Sequence, residues 1–158
     1  MAKFEADVET TLPAEAVRRA LLDFSERRPD VWPSLARGLY EVYSVGETTA
    51  DVKEGTRTPL GTFWAREHYD WSDVRTVRWT TRESNFCAPG SFVSATVHPH
   101  DGGGTRVHIH WERQGLTLLG RLVAQLIVVT RGRPITGSFV RAFRRLERAG
   151  AAVPNPLV

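Results

Sequence analysis

Glutamate side chains on two neighbouring predicted strands have the type and position that acid–base chemistry requires. Glu67 and Glu83 fall in the strands predicted over residues 61–71 and 75–86, and the alternation of these strands places both on the inner face. Burial raises the pKa of a carboxyl group, which is how a general acid or base working near neutral pH arises. The alternative is that each glutamate meets an arginine or lies in water at the open end of the sheet.

Histidines cluster around another predicted hairpin, formed by residues 90–100 and 104–113. Histidines on paired strands can bind one metal ion. A three-residue loop of Gly102 to Gly104, with Asp101 paired to Thr105, places them on the solvated face with no acidic neighbour beyond Glu112. We therefore expect a surface cluster and no metal site at these four residues: His98, His100, His108 and His110.

The sequence lacks the motifs of common cofactor and nucleophile sites. The glycines at 102–104 are not followed by the Lys-Ser/Thr pair of a phosphate-binding loop, and no Gly-x-Ser-x-Gly motif is present. The single cysteine, Cys87, excludes an internal disulfide and a metal site built on several thiolates. We expect Cys87 to be a small structural side chain, and we expect no cofactor.

These candidate residues belong to a chain whose patterning indicates an α+β fold. Residues 3–10 alternate between apolar and charged, which predicts a half-buried antiparallel strand. A helix should begin at Pro13 and end by Ser25, and a short second helix over 30–36 should have Asp30 as its N-cap. Two short strands, over 39–46 and 49–54, and then the four longer ones predict an antiparallel meander.

The C-terminal third is predicted to be helical, near 116–131 and 134–149, with a break at Gly132 and Pro134. The apolar stretch from Leu116 to Val129 is too short to cross a bilayer. It could pack on the sheet, cover a cavity, form a dimer face or lie on a membrane surface. We expect residues 1–150 to form one domain and residues 151–158 to be a frayed tail.

The net charge of +3 is a balance between two unlike regions. Residues 1–112 contain 13 basic and 17 acidic side chains, whereas residues 113–158 contain eight arginines and one glutamate. The basic region fits either a solvated helix face or a docking face for an acidic partner or an anionic membrane. The net charge is too small to indicate nucleic-acid binding. The ordinary composition and the absence of an apolar N-terminal run favour a folded, soluble, cytoplasmic protein.

The order of elements, together with several sequence phrases, resembles the START-like or helix-grip superfamily. That superfamily includes polyketide cyclases and dehydrases, lipid-transfer domains and proteins of the birch-pollen-allergen type. The phrases are Thr11-Leu-Pro-Ala-Glu-Ala-Val17, Gly61 before a long strand, Asp101-Gly-Gly-Gly-Thr-Arg-Val107 and Phe143-Arg-Arg-Leu-Glu147. The resemblance implies a seven-stranded antiparallel sheet curved around a long C-terminal helix, with two short helices after the first strand. These motifs are structural and carry no reaction.

The resemblance also implies a cavity for an apolar or aromatic small molecule between the sheet and the last helix. Large aromatic rings on the inner face suit a lipid- or polyketide-like ligand, which the protein would bind, sequester or transfer. The expected ligand-binding residues are Phe63, Glu67, Trp71, Trp79, Thr81, Val97, Ile109, Trp111 and Phe139.

Two other functions stay open at this point. One is a cofactor-independent polyketide cyclase or dehydrase, in which Glu83 is the acid–base group and Tyr69 a hydrogen-bond donor, as the resemblance to cyclases implies. The other is a protein-interaction module that docks through its basic C-terminal helix. A homodimer is compatible with all three functions, whereas nucleic-acid binding and stable membrane insertion are not expected.

Overall fold

A computed structural model describes residues 1–152, with side chains described to residue 150. The strands are β1 (Ala2–Thr10), β2 (Glu41–Val45), β3 (Thr49–Thr58), β4 (Gly61–Asp70), β5 (Thr76–Ser84), β6 (Phe92–Pro99) and β7 (Thr105–Arg113). The helices are α1 (Ala14–Leu22), α2 (Arg28–Val31), α3 (Leu118–Val129) and α4 (Arg133–Ala152), and Arg37–Leu39 form a 3-10 turn. Helix α4 continues through Ala152, so only residues 153–158 of the expected frayed tail lie outside the described part of the chain.

The seven strands form a single antiparallel sheet in the order β1-β7-β6-β5-β4-β3-β2. Strands β2 to β7 are a meander, and β1 pairs with β7, so that the first and last strands of the chain are neighbours. The sheet curves around α4, and α1 and α2 follow β1. The predicted α+β architecture is confirmed.

The core lies on the concave face of the sheet, as strand alternation requires. Buried positions alternate with exposed or half-buried ones along β6 and β7, and α4 adds Phe139 and Phe143 from the opposite side. Each large apolar side chain that leaves water stabilises the fold by about 1.5–3 kcal/mol. These residues therefore hold α4 against the sheet.

The β6–β7 hairpin differs from its predicted pairing by two residues. Pro99 pairs with Thr105 and Val97 with Val107, so the connection is five residues long instead of three. Because a shift of two positions leaves every side chain on its original face, the predicted inner and outer faces are correct even though the predicted partners are wrong.

The second helix is shorter than expected and begins earlier. Pro29 occupies its first turn, where the missing backbone N–H has no intrahelical partner to lose, so α2 begins at Arg28. Asp30 is consequently inside the helix, where its carboxylate pairs with Arg37 instead of capping the N-terminus. Trp32 follows α2, and its indole N–H donates to the Ala20 carbonyl at 3.1 Å.

Gly132 separates α3 from α4. Its φ is 70°, in the left-handed region that favours glycine, and a Cβ there would overlap the ring of Phe4. The chain therefore turns sharply where the sequence predicts a break. No helix in residues 1–152 has both the length and the apolar character that a membrane span needs.

Candidate functional site

A cavity of about 790 Å³ lies between the concave face of the sheet and the two C-terminal helices. Its walls are mainly apolar. The sheet contributes Phe63, Trp79, Val93 and Trp111, the helices contribute Val123, Ile127 and Phe139, and Trp32 follows α2. Trp32 packs edge-on against Phe139, with ring centroids 5.2 Å apart, so the site is walled by aromatic rings on more than one side.

A buried arginine, Arg28, is the centre of the first polar group in the wall. Its Nε donates to Glu54 at 2.9 Å, its Nη1 donates to the carbonyls of Leu21 and Asp23 at 3.0 Å each, and its Nη2 donates to the Tyr69 hydroxyl at 3.1 Å. Burial lowers the pKa of Arg28, but the charge of Glu54 and the contact with Tyr69 outweigh it and raise the pKa. Arg28 is therefore a permanent cation.

The Tyr69 hydroxyl donates to Glu54 at 2.9 Å. Burial and the adjacent Glu54 charge raise the pKa of Tyr69 well above its ordinary value. Tyr69 is consequently a neutral phenol at physiological pH. Its single O–H already donates to Glu54, and a neutral phenol does not act as a base.

A second buried ion pair joins Glu67 to Arg113. Arg113 Nη2 donates to Glu67 at 2.9 Å, Arg113 Nη1 donates to the Thr81 hydroxyl at 2.7 Å, and Thr81 donates to the other Glu67 oxygen at 3.1 Å. Burial raises the pKa of Glu67, and the Arg113 guanidinium counteracts this only in part. Cys87 is buried beside the pair, with its sulfur 3.4 Å from Arg113 Nη1, which fits the structural role expected for it.

The mouth of the cavity lies among the β3–β4 turn, helix α3, the start of α4 and the segment after α2. Leu60 at the turn and Leu126 on α3 line the cavity and are also exposed. On another side, the hydroxyls of Ser34 and Ser138 are hydrogen-bonded at 2.6 Å, which ties α4 to the segment after α2. The mouth is thus rimmed by both apolar and hydroxyl side chains.

Comparison with known proteins supports the fold alone. No protein-family model matches the sequence, and no curated protein matches it. Among solved structures, the Zhui aromatase/cyclase from a Streptomyces species superposes with a TM-score of 0.79 at 13% identity, covering 97% of this chain and 98% of that one. The chain has the START-like, helix-grip fold.

Two further solved structures share this fold. A START superfamily protein from Mycobacterium smegmatis has a TM-score of 0.75 at 12% identity, covering 94% of this chain and 99% of its own. Norcoclaurine synthase from Thalictrum flavum, in complex with dopamine and hydroxybenzaldehyde, has a TM-score of 0.67 at 13% identity, covering 93% and 86%. Identities this low establish architecture and do not transfer an activity.

The cavity is lined by Tyr69 and by five of the expected ligand-binding residues: Phe63, Glu67, Trp79, Trp111 and Phe139. The other four lie elsewhere. Val97 and Ile109 belong to the solid core, since the concave face extends beyond the cavity to where α1 covers it. Trp71 packs against Phe24, with ring centroids 5.8 Å apart. Thr81 does not line the cavity, but its hydroxyl is hydrogen-bonded to both Glu67 and Arg113.

The expected inward position of Glu83 is wrong. A β-bulge lies between Arg66 and Glu67, so Glu67 pairs with Thr81 while Arg66 pairs with Glu83. The extra residue on β5 reverses the alternation, which places Glu83 on the outer face, where it is exposed. Glu83 therefore has no access to the cavity and cannot be its acid–base group.

Three charged residues of the cavity wall that are buried or half-buried were not predicted: Arg28, Glu54 and Arg113. The inward position of two of them could have been predicted from the sequence. Arg113 continues the buried alternation of β7, and Glu54 is the next alternate position after the buried Ala50 and Val52 on β3. Arg28 lies in a four-residue helix without periodicity. Only the tertiary structure brings it to Glu54.

The histidine cluster lies on the outer, convex face as expected, but the expected lack of acidic neighbours is wrong. Because β1 pairs with β7, the charged side of β1 faces the histidines, and His108 contacts Asp7 at 2.7 Å and Glu5 at 3.2 Å. His110 also contacts Glu5, at 3.1 Å. The hydrogen bond to Asp7 raises the pKa of His108. Within residues 1–152, no group of His, Cys, Asp or Glu has the arrangement to hold a metal ion.

Proposed function

We propose that the chain binds an apolar or aromatic small molecule in the cavity between the sheet and α4, and so sequesters or transfers it. The observation that carries the proposal is the cavity of about 790 Å³ with its mainly apolar wall. Ligand pockets commonly measure about 300–1,000 Å³ and combine apolar walls with a few polar groups that orient the ligand. A solid interior would have excluded this function.

The polar groups of the wall narrow the ligand class. Arg28 is neutralised by Glu54, and Arg113 by Glu67, so the interior does not require a charged ligand. Both guanidinium groups are potential donors to ligand oxygen atoms, while the surrounding rings favour flat apolar groups. A polyketide- or lipid-like molecule with a few carbonyl or hydroxyl oxygens fits this combination.

A fluorescence titration tests the proposal, because three of the five tryptophans line the cavity. Neutral probes such as 1-naphthol and decanol should change the tryptophan emission saturably, with one binding site per chain. Ala65→Phe places a ring in the cavity, since Ala65 is a buried wall residue, and should weaken binding by about tenfold or more, or about 1.4 kcal/mol.

The matched control is Thr80→Phe, which adds the same ring to the outer face of the same sheet, where Thr80 pairs with His68. It should leave the affinity unchanged. Equal binding by wild type and Ala65→Phe would show that the probes bind outside the cavity, and the absence of saturable binding by any neutral probe would count against the function itself.

A second candidate function is a cofactor-independent cyclase or dehydrase, and the observation in its favour is Glu67. This carboxyl group lines the cavity, is 3% exposed and has a raised pKa. In its ionised form Glu67 would accept a proton from the carbon between two carbonyls of a polyketone. The carbanion would then add to a ketone carbon, the alkoxide would take up a proton, and loss of water would leave a double bond.

The double variant Glu67→Gln with Arg113→Gln removes both charges of the pair together, so no uncompensated buried charge remains. For an enzyme, this variant should bind a polyketone nearly as well as wild type and lose turnover. Turnover in wild type should rise with pH as Glu67 ionises. Full turnover in the double variant would exclude Glu67 as the base.

A further inference from the structure

Four arginines of α4 form a cationic surface next to the cavity. They are Arg141, Arg144, Arg145 and Arg148, whose spacing places them on one side of the helix, and all four are exposed. Together with Pro33 they line a pocket of about 230 Å³. We call these residues the arginine pocket.

The arginine pocket has no side-chain counter-ion among the described residues. The nearby Asp30 carboxylate pairs with Arg37, and Arg145 reaches only the Asp30 backbone carbonyl. The carboxylate of Glu147 accepts from the Thr10 hydroxyl and from the Thr11 backbone N–H. The hydrogen bond from Thr10 is the main cause of its lowered pKa, and the charge of Arg144 is a minor one. Like charges spaced three and four residues apart on a helix repel each other, so the close spacing of these arginines is unfavourable for α4.

Arg141 connects the pocket to the cavity, because it lines both. Its side chain folds back by one helical turn, so that Nη1 lies 3.4 Å from the position a Cβ would take on Gly137. The guanidinium therefore lies beside Gly137, and the next residue, Ser138, lines the cavity and is hydrogen-bonded to Ser34. Helix α4 thus connects the apolar interior of the cavity to the cationic arginine pocket.

We propose that the cavity ligand carries an anionic group, a carboxylate or a phosphate, that binds the arginine pocket at Arg141 while its apolar part occupies the cavity. The proposal rests on the proposed binding function and adds the charge of the ligand. The guanidinium fork suits both anions, since it donates two parallel hydrogen bonds to either. The buried ion pairs are already neutral, so the charge selectivity arises at the mouth.

Three probes of equal chain length test the proposal: decanol, decanoate and decyl phosphate, each titrated against the full chain by tryptophan fluorescence and calorimetry. The two anions should bind at least about tenfold more tightly than decanol, and added salt should reduce this preference. Arg141→Gln should remove most of the preference while leaving decanol affinity unchanged. The control Arg82→Gln makes the same charge change on an exposed residue of the outer face and should have no effect.

The outcomes separate this proposal from the one it rests on. If decanol binds and the anions bind no more tightly, the anionic class is refuted while the binding function stands. If decanol does not bind and the anions bind with full strength to Ala65→Phe, the arginines hold an anion on the surface only and both proposals fail. Tight binding of inorganic phosphate, or of an acidic protein without any effect on the tryptophans, would likewise refute the head-group assignment.

Discussion

Removing Arg113 alone should destabilise the protein far more than removing Arg113 and Glu67 together. Arg113 donates to Glu67 at 2.9 Å and to Thr81 at 2.7 Å, and Glu67 is 3% exposed. In Arg113→Met the carboxylate keeps the Thr81 hydroxyl as its one hydrogen-bond partner among residues 1–150. Breaking one member of a buried pair costs about 3–5 kcal/mol, whereas replacing both members by apolar side chains is often close to neutral.

The loss of stability in Arg113→Met should increase as pH rises. The folded pKa of Glu67 lies above its unfolded value because of burial, and the loss of Arg113 raises it further. At pH values between the unfolded and the folded pKa of Glu67, the folded state binds more protons than the unfolded state, so stability falls as pH rises. Arg113→Met should therefore be closest to wild type at about pH 5 and weakest above neutrality.

Urea unfolding followed by tryptophan fluorescence at about pH 5 and about pH 7.5 measures both effects. The double variant Arg113→Met with Glu67→Met should recover most of the loss and show less dependence on pH than the single variant. Arg82→Met is the control, since it removes an exposed arginine from β5 and should change stability by less than about 0.5 kcal/mol. Equal losses in the single and double variants, without pH dependence, would refute the inference that Arg113 compensates a buried charge.

Two further predictions concern the scaffold. Gly132→Ala should lower the free energy of unfolding by at least about 1–2 kcal/mol, because Gly132 has a φ of 70° and a Cβ would meet Phe4; an unchanged urea midpoint would contradict this. His108 should titrate in an NMR experiment above its ordinary pKa, since Asp7 bonds its ring. Its contribution to stability is present below the unfolded pKa and is lost as pH rises through the folded pKa, so the advantage of wild type over His108→Gln should shrink from about pH 6 to about pH 8; a constant difference would contradict this.

The faces of the sheet were predictable from sequence because alternation is a local property. The inner positions of β6 and β7 follow directly from their period of two, and even a two-residue error in the hairpin register left Val97 and Ile109 correctly buried. The break between the two C-terminal helices was likewise visible at Gly132 and Pro134.

The polar part of the cavity wall was only partly predictable, because it depends on irregular features and on distant contacts. A bulge of one residue, invisible in the alternation of β5, moved Glu83 to the outer face while leaving Glu67 inside. Arg28 reaches Glu54 from a short helix 26 positions away in the chain. Strand parity identified the aromatic wall, but the charges that complete it required the three-dimensional structure.

An NMR titration with 1-naphthol tests most directly whether the cavity is a binding site. The indole N–H signals of the tryptophans report on separate places: Trp79 and Trp111 line the cavity, whereas Trp64 and Trp71 do not. We predict saturable shifts for the Trp79 and Trp111 signals at one ligand per chain, with little change at Trp64, and loss of these shifts in Ala65→Phe. Shifts confined to Trp64, or none under conditions in which the protein stays folded, would contradict a ligand-binding cavity.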